Sequence, residues 1–328
     1  MSSFVFSPSE MPAIPGLIMR HFQDEADFPG IARVINLSLA ADGNCERVSL
    51  EGLASTFAHP VHWDPQKDSL FVVVDGMSVG YANTEWHEDG DGACLHCINL
   101  YLVPEWRGRG LEPVMQRIME RCARAVVSNG QGFAHNWFTS LVPDSWQARA
   151  DMLQSSGYAP AHTYFEMQRP LDGDLPEINV PVGLMLRQPL PEHYRAVWDA
   201  SVECFREQRD YFVSDEESYQ AWIALPDLDP DVWIVAWDGN QVAGAAINTL
   251  HEGAWGETDD LFVRRPWRRQ GLGRALLAAS LHLFKERGLV TAGLGVDVDN
   301  VSGAPGLYEN VGFRPYQRVV SYRKAMGE

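Results

Sequence analysis

Short apolar runs and polar turns alternate along this chain, and the whole alternation occurs twice. Gly16-Leu17-Ile18-Met19-Arg20 suits an opening strand, and Gly183-Leu184-Met185-Leu186-Arg187 repeats it in the second half. Leu70 to Val74, Asp75-Gly76 and Val79-Gly80 predict a strand, a hairpin turn and a second strand. Val232 to Trp237, Asp238-Gly239 and Val242 to Gly244 predict the same. Leu100 to Val103 runs into Pro104-Glu105-Trp106-Arg107, as Leu261 to Val263 runs into Pro266-Trp267-Arg268. Each run precedes apolar positions three to four apart, which predict a helix with one core face. These are Leu111, Val114, Met115, Ile118, Met119 and Cys122 in the first half, and Leu272, Ala275, Leu276, Ala279 and Leu283 in the second. Gly157-Tyr158-Ala159-Pro160 and Gly312-Phe313-Arg314-Pro315 then precede strand-like tails, Thr163 to Met167 and Arg318 to Tyr322.

The repeat predicts an N-terminal extension over 1–15, a first domain over 16–170, a linker over 171–182 and a second domain over 183–328. The linker is placed by its turn formers, Asp172, Gly173, Asp174, Pro176 and Pro181. With 45% hydrophobic and 21% charged residues, either domain can bury a core. A net charge of −18 repels a phosphate backbone, so nucleic acid is not an expected partner. It favours a cationic small molecule, although a solvated acidic surface carries the same charge.

No apolar run approaches the ~18 residues of a membrane span, so no membrane partner is expected. Met1 to Pro15 lacks the basic start and apolar stretch of a signal peptide, and a cytoplasmic location is the expectation. The five cysteines, Cys45, Cys94, Cys97, Cys122 and Cys204, are an odd number, as reduced thiols would be. Cys94 and Cys97 lie three apart on a predicted strand and point to opposite faces, so no metal site is read there.

Chemistry concentrates in Asp260-Leu261-Phe262-Val263-Arg264-Arg265-Pro266-Trp267-Arg268-Arg269-Gln270-Gly271-Leu272-Gly273-Arg274, which reads as strand, basic loop and helix. A helix start offers unpaired backbone N–H groups and the positive end of the helix dipole, and glycines let an anion approach closely. The loop is too short for an NTPase phosphate loop and lacks the three spaced glycines of the dinucleotide fingerprint. A pyrophosphate-bearing cofactor still fits.

The segment resembles motif A of the GNAT acetyltransferases: Arg268, Gly271 and Gly273 match its pattern of Gln or Arg, two residues, Gly, one residue, then Gly or Ala. Asn300, Leu307-Tyr308-Glu309-Asn310 and Gly312-Phe313 follow at spacings resembling motif B. The resemblance implies an α/β fold of two tandem GNAT domains, each a mixed, mostly antiparallel twisted sheet flanked by helices. It implies an acetyl-CoA-dependent N-acetyltransferase, with no metal, that moves an acetyl group to a primary amine of a small molecule by direct attack in a ternary complex. The pantetheine would pair with Leu261, Phe262 and Val263. Arg268, Arg269, Gln270, Gly271, Leu272, Gly273 and Arg274 would cradle the pyrophosphate, and Asn300 would contact the cofactor. Tyr308 matches the tyrosine that protonates the departing thiolate; a phenol near pKa 10 holds its proton at neutrality.

An ammonium acceptor must lose a proton, and a carboxylate beside the acetyl group can take it. Glu257 and Asp259 share one face of the strand by two-residue alternation, and Glu257 is the first choice. Cys204 has no motif around it, so no covalent route is read. Trp198, Phe205, Tyr211, Phe212, Tyr219 and Trp222 lie where the acceptor side of this fold falls. In the first copy Glu112 stands where the pattern wants Gly or Ala, and would face the diphosphate at a cost of about 3 kcal/mol per charge pair at ~6 Å. Leu153 stands where the second copy has Tyr308. The first copy is therefore read as degenerate and structural, the second as catalytic.

A tandem arrangement with an active second half resembles the mycothiol synthases, as does Gly293 to Asn300, but Gly295 stands where those enzymes place a tyrosine. A mycothiol-like amino-sugar acceptor and a protein lysine are the other substrate readings. A catalytically silent acyl-CoA sensor or scaffold is the alternative from another class. Both monomer and homodimer stay open.

Overall fold

The computed structural model describes residues 11–44, 46–128, 133, 135–208, 211–226, 228–251, 254–298 and 304–327. The first half runs β1 (Leu17–Arg20), α1 (Phe28–Ala41), α2 (Leu50–Ala58), β2 (Ser69–Val74), β3 (Met77–Glu88), β4 (Cys94–Leu102), α3 (Leu111–Ser128), β5 (Asn136–Pro143), α4 (Gln147–Ser155) and β6 (Ala159–Pro170). The second half runs β7 (Met185–Leu186), α5 (Tyr194–Phe205), α6 (Glu216–Ile223), β8 (Ile234–Asp238), β9 (Gln241–His251), β10 (Trp255–Val263), α7 (Leu272–Glu286), β11 (Thr291–Asp297), α8 (Ala304–Asn310) and β12 (Arg314–Ala325). The order of strands and helices is the same in both.

Contacts divide the chain into two compact units that do not follow chain order. One comprises Met1–Ala161, Ala224–Pro226 and Val320–Glu328; the other comprises His162–Ile223 and Asp227–Val319. In the first unit β1, β2, β3 and β4 pair antiparallel in sequence, β4 pairs parallel with β5 over Cys94–Cys97, and the end of β12 lies beside β5. In the second, β7, β8, β9 and β10 pair antiparallel, and β10 pairs parallel with β11 over only Trp255–Glu257. Strand β11 then pairs antiparallel with β6, from Thr291 opposite Pro170 to Asp297 opposite Tyr164. Each sheet is thus mixed and mostly antiparallel, and each takes its last strand from the other half of the sequence.

The predicted core face of α3 is buried as a block, with Leu111, Met115 and Met119 packed against Leu70, Val72 and Leu102 of the sheet. Helix α1 covers the opposite face, setting Ile31 and Val34 against Phe71 and Tyr81. In the second unit α7 is wrapped more fully than a single stripe predicts. Leu272, Ala275, Leu276 and Ala279 are buried, but so are Leu277, Ala278, Leu281 and Phe284, while Leu283 is only partly covered. One side of α7 packs on Ala243 and Ala246, the other on Ala292, Leu294 and Phe313. Two local expectations shift. The opening strand of the second half shortens to Met185–Leu186 at the sheet edge, and Val232 falls in a 3-10 turn, Pro230–Val232, capped by the Asp229 side chain. Pro230 begins that turn because it has no N–H to give a ladder.

Among the described residues no helix is long and apolar enough to cross a membrane. Cys94, Cys97, Cys122 and Cys204 are free thiols.

Candidate active site

The parallel pair β10 and β11 separates immediately beyond Glu257 and Gly293. From Thr258 to Val263 strand β10 keeps its antiparallel partner β9 on one edge, while β11 continues along β6. The other backbone edge of β10, including Leu261 and Phe262, has no strand partner there. The carbonyl of Val263, by contrast, accepts from Arg268 Nε at 2.7 Å.

A β-bulge interrupts β10 between Thr258 and Asp260: Thr258 lies opposite Asn248, Asp260 opposite Ile247, and Asp259 is the extra residue. The bulge leaves the Asp259 carboxylate with Glu257, because Asp259 Oδ2 reaches Thr249 Oγ1, the side chain opposite Glu257. Because Thr249 and Ile247 alternate onto one face of β9, their partners Glu257 and Asp260 share that face as well, which the unbroken alternation did not predict for Asp260. This face meets α5, where Ser201 Oγ donates to Asp260 Oδ2 at 3.0 Å. Phe262 joins the same side, packed with Val197, Ala200 and Cys204.

Each carboxylate has its own setting. Glu257 Oε2 lies 3.2 Å from His251 Nε2. Asp259 Oδ2 accepts from Thr249 Oγ1 at 2.6 Å. Asp259 reaches solvent, yet protein crowds its carboxyl as on the wall of a cleft. Desolvation, opposed by the Thr249 hydrogen bond and reinforced by the charges of Glu257 and Asp260, raises it to about 7. Asp260 is raised as well, by desolvation against the Ser201 hydrogen bond. Tyr308, on α8, is buried beside Phe313 and pushed up to about 12 by desolvation and by the Asp260 charge. It therefore keeps its proton at neutral pH.

The loop into α7 is built to receive an anion. Gly271 caps the helix with φ 88°, and a Cβ there would meet nothing within 4 Å. Arg269 also takes a left-handed φ, 62°. Arg269 and Arg274 are exposed and, among the described residues, make no hydrogen bond or ion pair. Gln270 Nε2 donates to the Pro266 carbonyl, while Leu272 is buried under the loop. A Cβ at Gly273 would lie 3.5 Å from Leu307, an ordinary contact, which fits a position open to Gly or Ala. Arg268 behaves differently: its guanidinium is held by Glu207 at 2.7 Å, so it fastens the loop to the end of α5 rather than facing an anion freely. Asn300, expected to contact the cofactor, lies outside the described residues. Burial raises Cys204 to about 11, which leaves its thiol protonated and unsuited to attack.

A cavity of about 300 Å³ opens beside this strand, lined by Trp198, Ser201, Val202, Phe205, Gln208, Tyr211, Phe212, Ser214 and Asp260. Four of the six aromatic residues singled out from the sequence line it. Tyr219 and Trp222 instead back Trp198, with ring centroids 5.7 and 5.0 Å away. Sequence reasoning missed Ser201 and the facing of Asp260. Ser201 was within reach of it, because Trp198, Ser201, Val202 and Phe205 fall on one helical face.

The model of the acetyltransferase (GNAT) family matches residues 194–313. A mycothiol acetyltransferase from Thermomonospora curvata is 30% identical over 257 residues, covering 78% of this chain and 82% of that protein. The chain belongs to the GNAT family and is an acetyltransferase, moving an acetyl group to an amine; the family fold uses acetyl-CoA. Its tandem construction recurs in solved structures. A GNAT N-acetyltransferase from Sphaerobacter thermophilus, 25% identical, superposes with a TM-score of 0.73 over 96% of this chain and 98% of its own. A tandem GNAT protein from the clavulanic acid biosynthesis pathway, 18% identical, has a TM-score of 0.67 over 95% and 99%.

Proposed function

We propose that the second copy is the catalytic one and acetylates the primary amine of a small molecule, with acetyl-CoA as donor. The observation that carries this reading is the parting of β10 from β11 directly ahead of the Gly271-capped helix. It leaves a strand edge for a pantetheine amide ladder in line with a helix start for the diphosphate. Leu261 and Phe262 supply the edge. The backbone over Arg269–Gly273, with Arg269 and Arg274, supplies the cradle; Asn300 is assigned to the cofactor from the motif alone.

In the reaction the amine first gives up its ammonium proton, for which Asp259, titrating near 7, is suited as acceptor, with Glu257 and its His251 neighbour as the next sink through water. The nitrogen lone pair forms the C–N bond to the acetyl carbonyl. Collapse breaks the C–S bond, and the thiolate takes the Tyr308 phenol proton. The second proton shed by the nitrogen as it becomes an amide restores Tyr308. The first copy is structural in this scheme.

The mycothiol acetyltransferases among the relatives favour a second reading for the acceptor, a mycothiol-like one. At Gly295, where a tyrosine would be wanted, a Cβ would stand 3.6 Å from a Glu166 carboxylate oxygen, so the wall there is acidic. The test is release of CoA thiol from acetyl-CoA across a panel of amines, amino sugars and peptides, with Gly271→Glu as control. Turnover abolished by that change supports the assignment. Turnover that survives it moves the donor site elsewhere.

A further inference from the structure

The cavity beside β10 combines features that neither the fold nor the motifs demand. Trp198, Phe205, Tyr211 and Phe212 give it aromatic walls, Val202 adds an aliphatic patch, and one carboxylate, Asp260, reaches it from the strand. The Trp198 wall is fixed from behind, because Trp222 lies tilted against Trp198 at 5.0 Å and is itself stacked on the fully buried Trp233 at 5.2 Å. Asp260 is fixed too. The bulge at Asp259 turns it toward α5, and Ser201 Oγ holds one of its oxygens. Its other oxygen accepts no bond from a described residue. The uncharged polar side chains of the lining are Ser201, Gln208, Tyr211 and Ser214, and Ser201 already spends its proton on Asp260.

Resting on the acetyl-transfer reading above, we propose that this cavity seats the acceptor and that Asp260 is the residue that holds its amine nitrogen, which makes the acceptor a primary amine on a compact aryl or alkyl body. A cation among aromatic faces gains from their quadrupoles, and a nearby carboxylate fixes which end of the molecule is recognised. A volume near 300 Å³ is at the small end for ligand pockets, so a macromolecular side is not needed to fill it. An amino sugar would bring several hydroxyls to walls with few partners for them, and buried unpaired hydroxyls weaken binding. Asp260 acts here as a positioning and specificity residue. It lies next to Asp259 in the chain, so a nitrogen bound to Asp260 is delivered to the acidic end of the strand and to the electrostatic reach of Tyr308.

The experiment uses the full-length protein, 2-phenylethylamine and glucosamine as probes, and the variants Asp260→Asn and Ser201→Ala. Asn keeps an oxygen for Ser201 to donate to but removes the charge. Calorimetric binding of each amine to the enzyme–CoA complex is measured beside steady-state turnover. The expected result is that phenylethylamine binds at least tenfold more tightly than glucosamine. Asp260→Asn weakens phenylethylamine, in Kd and KM, tenfold or more while kcat changes less than threefold, and Ser201→Ala gives a smaller shift in the same direction. Equal or tighter binding of glucosamine, a Kd for phenylethylamine unmoved by Asp260→Asn, or no binding of either amine overturns the inference. Asp260-dependent binding without any acetylation keeps this site and removes the catalytic reading instead, so the two failures are told apart.

Discussion

The loop after β4 and the loop after β10 occupy the same place in the two copies, yet one is filled by its own chain and the other is not. In the first, Glu112 turns back and accepts from the Gly108 backbone N–H at 2.6 Å, with only 6% of its surface exposed. The carboxylate does not face an open diphosphate site, as its position in the sequence suggested; it takes one of the donors that such a site would use. Above it, Ser140 Oγ donates to the Ile98 carbonyl at 2.9 Å and the buried Arg149 guanidinium donates to the Leu100 carbonyl at 3.2 Å, covering the strand edge. Desolvation lowers Arg149 to about 10, with Tyr101, Tyr158 and Glu112 pulling it back up. Arg107 is spoken for by Asp42, at 2.7 Å, and lies over the Trp146 ring. In the second copy, no described side chain donates to Leu261 or Phe262, Gly273 has no carboxylate to turn back, and two arginines stand free. Internal charges in the first copy thus stand where the reading proposed above places a ligand's in the second.

The most direct way to break the contrast is to give the second loop the first loop's residue. Gly273→Glu places a carboxylate where Glu112 stands, and the room beside Leu307 accepts its Cβ. One charge pair against the diphosphate at ~6 Å is worth about 3 kcal/mol at an effective dielectric near 20. Acetyl-CoA affinity should therefore fall roughly 100-fold, read by calorimetry, with the melting temperature nearly unchanged.

A smaller loss is expected at Tyr308, whose counterpart in the first copy is the buried Leu153. Tyr308→Phe should lower kcat about 10- to 100-fold, as removal of a general acid does, while acetyl-CoA binding holds. Smaller again is Asp259→Asn. A base must be ionised, and Asp259 is raised to about 7, so activity in the native enzyme should rise as pH climbs through 7 and level off above it. The variant should lose that limb and about tenfold in kcat/KM at pH 8. A limb that persists in it assigns the titration to another group.

The repeat, the two loops and the helices after them were legible because turn residues and helical periodicity are local. Two things were not. Period-two alternation put Glu257 with Asp259 and turned Asp260 away, but a bulge is one residue of irregularity with no sequence mark here, and it brought Asp260 onto the face that meets α5. The partners of β6 and β12 were equally hidden. Thr163–Met167 and Arg318–Tyr322 read as strands, yet nothing in a strand's own pattern says that β6 will lie beside β11, or that Lys324 of β12 will pair with Glu120 at 3.1 Å. Strand pairing at long range is decided by the whole sheet, not by the segment.

The finest test asks whether the first copy is closed by Glu112 alone. Glu112→Gly removes the carboxylate and frees the Gly108 N–H, so the loop regains the glycine pattern of the second copy. Arg149 and Ser140 still hold the carbonyls of Leu100 and Ile98, and Arg107 still answers to Asp42. The strand edge thus stays covered after the anion cradle is emptied, and calorimetry should continue to find one acetyl-CoA per chain. The lost charge-assisted hydrogen bond costs about 1–2 kcal/mol, which for a unit of this size lowers its melting temperature by about 3–6 °C. A second equivalent of acetyl-CoA bound by Glu112→Gly would place the whole difference between the copies in that one carboxylate, and would make the Arg149 contact a tenant that a ligand can displace.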